Sequence, residues 1–145
     1  MNTKKFLIGG IVGGISYFLL GYLFYGSLFA DFFAKNAGSA TGVPKPMDQF
    51  IWWSLILGNI LGGCLLSYVF VKSGVKSVGS GILTAAVIGL LMAGSYDFLM
   101  YSTSNLTTMT GLIGDICIYT LMSAITGAII GWINSLIGKT KNPTT

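Results

Sequence analysis

Four side chains in this sequence have the chemistry to hold a proton or a small polar solute: Asp115, Asp97, Asn59 and Tyr17. Two carboxylates brought together away from water cannot both stay ionised, so such a pair shares a proton. An amide or a phenol in an apolar setting must find a hydrogen-bond partner or bind something that supplies one. The rest of the usual catalytic repertoire is missing. The chain has no His, no Arg and no Glu, which removes histidine bases, His-ligated zinc, guanidinium clamps on phosphate and glutamate acids. Aspartate alone equips an enzyme poorly. The sequence therefore predicts no catalytic residue, no metal and no cofactor.

The remaining reactive features carry little. Cys64 and Cys117 fall at different depths of their helices, too far apart for a disulfide, whose Cα atoms lie within about 7 Å. They read as small packing residues. Leu61-Gly62-Gly63-Cys64 imitates a lipoprotein processing signal but lies mid-chain. Gly138-Lys139-Thr140 imitates the end of a phosphate loop, yet Ile133 stands where the earlier glycine belongs. Asn105-Leu106-Thr107 is a formal glycosylation sequon, and with Thr107, Thr108 and Thr110 it fits a helix start better.

The elements that must position these residues follow from composition. The chain has 145 residues, of which 8% are charged and 53% hydrophobic, with 21 glycines besides, and its mean hydropathy is +0.79. Roughly 25% charged residues is usual for a soluble domain, and a chain this small has too much surface to bury so much apolar matter. Its solvent is lipid. Charge-free runs cover residues 6–30, 49–71, 77–96 and 116–138, each near the 20 or so residues needed to cross about 30 Å of hydrocarbon as a helix. The runs are continuous rather than alternating, which excludes a barrel. The reading is an all-α membrane protein, a single membrane domain over 1–145. Its four transmembrane helices lie at about 6–30, 49–71, 77–97 and 111–138, with outer loops 31–48 and 98–110 and an inner loop 72–76. The first helix is too long for the apolar core of a cleaved signal peptide.

Orientation follows from lysine. Lys4, Lys5, Lys72, Lys76, Lys139 and Lys141 share one side, while Lys35 and Lys45 lie on the other with all four aspartates, Asp31, Asp48, Asp97 and Asp115. The positive-inside rule places both termini in the cytoplasm. The net charge of +4 is thereby explained without nucleic acid. Aromatics crowd the outer end of helix 1 and sit at Trp52, Trp53 and Trp132, as an interfacial belt would.

Helices in lipid approach through small residues. Gly10 and Gly14, with Gly9 and Gly13, serve helix 1. Gly58 and Gly62 serve helix 2, Gly89 with Ala85 and Ala93 helix 3, and Gly127 and Gly131 with Ser123 helix 4. Tyr17 lies on the face of Gly10, Gly14 and Gly21, inside a glycine groove. Asn59 shares the stripe of Gly58 and Gly62 near mid-membrane, where an interhelical hydrogen bond is expected. Helix 4 is polar on two faces, Thr120, Ser123, Gly127, Gly131 and Asn134 on one and Asp115, Tyr119 and Thr126 on another. Either it is central or its second face meets another subunit, so a homo-oligomer stays open. The two hairpins echo each other faintly, which duplication or composition alone would explain.

Asp115 lies about one turn inside its helix, and Asp97 ends helix 3 at similar depth. Facing each other they would bind a proton. The simpler reading has Asp115 and Asp48 complementing helix N-termini and Asp97 wet at the interface. The outer loops, with Asp31-Phe32-Phe33 and Pro44-Lys45-Pro46, either cap an outward pocket or merely connect.

Gly21-x-x-Phe24-Tyr25-x-x-Leu28-Phe29, followed by Phe33, Lys35 and Gly38, resembles the helix 1 signature of an uncharacterised family of small prokaryotic four-helix membrane proteins. That family usually has glycine where Ala30 stands and often Trp where Phe24 stands. The resemblance implies a prokaryotic cytoplasmic membrane and supplies no activity or small-molecule ligand. The chain is expected to be a non-catalytic structural or interaction bundle whose partner is membrane lipid. The alternative is an oligomeric proton or small-solute carrier using Asp97, Asp115 and Asn59.

Overall fold

The computed structural model describes residues 2–139, with side chains described through position 137. They are overwhelmingly helical, with no strand among them beyond one isolated bridge. Lys141 of the basic set lies outside the described residues, as does the side chain of Lys139. Helix α1, Thr3–Leu23, starts at Asn2, whose side chain accepts from the Lys5 amide. It continues through one π turn, Phe24–Leu28, closed by the Phe29 amide on the Phe24 carbonyl at 2.8 Å. The chain breaks at Phe29, and the short helix α2 follows over Ala30–Lys35. After a 3₁₀ turn at Met47–Gln49 comes α3, Trp52–Ser73, ended by Gly74 at φ +69, a conformation glycine adopts without penalty. Ser77 and Ser80 form a reciprocal cap that starts α4, Val78–Thr103. Thr108 caps α5, Met109–Lys139, by accepting from the Gly111 amide at 3.2 Å.

Four segments, Thr3–Leu28, Trp52–Ser73, Val78–Thr103 and Met109–Ile137, are long and apolar enough to cross a membrane. By length and composition the chain is an all-α, four-helix, multi-pass membrane protein. Helix α4 runs six residues past position 97, and the connection after it contracts to 104–108. Ser102, Thr103 and Ser104 each return a hydroxyl to a carbonyl of the preceding turn at 2.7–2.8 Å, so polar residues ride on the helix instead of ending it.

The bundle is two antiparallel pairs, α1 with α3 and α4 with α5, joined where α1 meets α5. Both polar faces of α5 are used inside the chain, since Ser123, Thr126 and Asn134 are all buried. At the end carrying the N-terminus and the α3–α4 turn, the pairs touch backbone to backbone. A Cβ on Gly63 would overlap the backbone of Gly10, Gly13 and Gly14, and one on Gly127 would overlap Gly81. Lys5 there donates to the Asn134 carbonyl, and Ser67 to that of Phe6.

Candidate functional site

The glycine seams do not continue to the far end. Gly14 still lies against Ile60, where an added Cβ would stand 2.8 Å from its Cα, but at Gly62 the nearest neighbour is the Tyr17 ring at 3.6 Å. One turn on, a Cβ at Gly58 would meet nothing within 4 Å. A ring has replaced a backbone, and α1 and α3 part. Between them lies a cleft of about 820 Å³, walled by α1 and its π turn, by α3, and by the segment from Lys45 to Ile51. Tyr119 and Met122 of α5 close its floor. Gly21, Gly26 and Gly58 keep its walls low, and Tyr22, Tyr25, Phe50 and Trp52 make them aromatic.

At the floor, Tyr17 is 5% exposed and donates to Ser123 Oγ at 2.8 Å. Its ring stacks on Tyr119, with centroids 5.8 Å apart. Gly89 makes this possible, because a side chain there would occupy the Ser123 hydroxyl's place. Three helices thus meet at one hydrogen bond.

The same α4–α5 register brings the acids together. Ala85 faces Gly127 and Gly89 faces Ser123. Two turns further on each helix, the same antiparallel ladder sets Asp97 opposite Asp115. Asp97 is 9% exposed, and its Oδ2 is buried without a partner. Tyr25, carried by the π turn, lies in the neighbourhood of both aspartates. The π turn aims this side chain, since the extra residue in that turn rotates it relative to a regular α-helix. Above the pair, Phe32 of α2 covers Gly114 and Phe33 packs on Tyr25 with centroids 5.1 Å apart. The lid is pinned. The Asn36 carbonyl accepts from the Thr108 amide and hydroxyl, and the Gly38 amide donates to Leu106.

Several sequence expectations change. Asn59 borders the cleft but donates to Leu55 of its own helix at 2.8 Å, so the expected interhelical bond is not made. The partner lay one turn away along its own backbone. Among the described residues Gly58 meets nothing within 4 Å and Gly62 meets only the Tyr17 ring, while Gly63 makes the close backbone approach expected of that pair. Gly63-x-x-x-Ser67 was the available signal. The face of Asp115 and the face of Ser123 both turn toward α4 as the seam winds around α5. Asp115, Tyr119, Ser123, Gly127 and Gly131 are spaced by four and curve along α4, as Ala85, Gly89, Ala93 and Asp97 do on the other side. Cys64 packs against Gly10, but Cys117 is exposed, and both thiols are free. Of the motif Gly21, Phe24, Tyr25, Leu28, Phe29, the structure buries Phe24 and stacks it on Phe29, and it leaves Leu28 exposed. No known family, curated protein or solved structure matches the chain.

Proposed function

We propose that this chain is a non-catalytic interaction protein of a prokaryotic cytoplasmic membrane, both termini cytoplasmic, whose cleft receives a small amphipathic molecule from the bilayer. The cleft carries this reading. Its volume falls within the roughly 300–1,000 Å³ of small-molecule sites, and its lining has the same character, mostly apolar with a few polar groups. Lys45 at the rim is placed to meet an anionic head, while the rings of Tyr22 and Trp52 and the bare backbone of Gly58 suit an acyl chain. Membrane orientation rests on the lysines, and the prokaryotic assignment rests on the helix 1 resemblance.

The test uses a brominated long-chain fatty acid, which quenches Trp52 when it occupies the cleft. Quenching that saturates near one probe per chain is expected. Gly58→Leu, which fills open space, should abolish it, and Lys45→Gln should weaken it about tenfold. Quenching that never saturates, or that survives Gly58→Leu, overturns the reading. A second reading, an oligomeric proton or small-solute carrier, draws on the meeting of Asp97 and Asp115. It requires an assembly larger than a monomer in detergent and proton flux above that of empty vesicles.

A further inference from the structure

We propose that Asp97 and Asp115 hold one proton between them, at a site reached from the cleft through Tyr25. The register of α4 against α5, read from Gly81 on Gly131, Ala85 on Gly127 and Gly89 on Ser123, sets Asp97 opposite Asp115. Asp97 Oδ2, buried and unpartnered, is the oxygen that needs a donor. A proton on one carboxyl, donated to the other, supplies that hydrogen bond and leaves the pair with one negative charge instead of two. One carboxyl O–H bond forms when the proton is gained and breaks when it is lost, and nothing else changes.

The groups facing the pair do not substitute for it. Tyr25 approaches from the π turn and Tyr119 lies one turn along α5. Helix α2 brings Phe32 against Gly114 and Phe33 against Tyr25, both without charge. Tyr25 also lines the cleft, so one side chain borders both the cleft and the neighbourhood of the pair. With the proton in place α4 and α5 stay together at this end. When pH rises and the proton leaves, two like charges oppose each other across the seam beneath the Asn36–Thr108 clamp. The proposal does not depend on what the cleft binds.

Infrared spectroscopy of the whole protein in lipid nanodiscs tests it directly, because four aspartates and no Glu leave few carboxyls to assign. One protonated carboxyl per chain is expected at neutral pH, lost as pH is raised and shifted by ¹³C-aspartate labelling, a result that needs no variant. Asp97→Asn preserves shape and should remove the band. Tyr25→Phe should keep the band and slow its exchange in D₂O several-fold. A spectrum with no protonated carboxyl at neutral pH overturns the proposal. So does a band that persists in Asp97→Asn, or one displaced at fixed pH by Na⁺ or Ca²⁺, which would make the pair a cation site. Unchanged exchange in Tyr25→Phe overturns the route through the cleft. Failure of fatty-acid quenching with this band intact would count against the cleft reading alone.

Discussion

The two ends of the α1–α3 pair use glycine for opposite purposes. Near the termini, Gly10, Gly13 and Gly14 face Gly63 so closely that no side chain fits on either helix. Toward the far end, Gly58 faces open space, and the gap between the helices belongs to the rings of Tyr17, Tyr22 and Trp52. Glycine in the first place brings backbones together, and in the second it keeps a wall low. The difference shows that a small-residue stripe does not by itself announce helix packing. What matters is whether the opposing residue is another glycine or a ring.

Substitutions at matched positions should separate these roles. Gly63→Ala forces a methyl into the backbone of α1 and should cost about 3 kcal/mol, the upper part of the usual overpacking range. Thermal unfolding in detergent would show a much lower midpoint, and an unchanged one would break the contrast. Thr108→Ala removes both the cap of α5 and a bond to Asn36, for a loss of about 1.5 kcal/mol. Faster amide exchange confined to the far end is the expected signature. Tyr17→Phe deletes the hydroxyl that reaches Ser123 and should cost about 1 kcal/mol, in keeping with hydrogen bonds between membrane helices. The smallest effect belongs to Gly58→Leu. With nothing within 4 Å and a gain in helix propensity, stability should change by less than about 0.5 kcal/mol. A large loss there would mean that the cleft is packed rather than open.

Much of the architecture was legible in the residues. The four spans and the helix start near Thr108 follow from charge-free length and local capping chemistry. The site was legible only in parts. Tyr17 in a glycine groove was visible from spacing, and so were two acids at similar depth. That Asn59 would bond to its own helix was not, because Leu55 and any residue across the interface offer the same chemistry. The π turn was hidden as well, since one extra residue leaves no periodic trace in a turn of only five residues.

Composition alone determined that this chain needs lipid as its solvent. Twelve charges among 145 residues leave stretches that water cannot accommodate and that only helices satisfy in hydrocarbon. Tertiary structure decided which small residue meets which. The register of α4 on α5 sets Asp97 against Asp115, and the parting of α1 from α3 leaves the cleft. Register is a relation between two helices, held by contacts such as Gly89 with Ser123, and neither helix contains that information by itself.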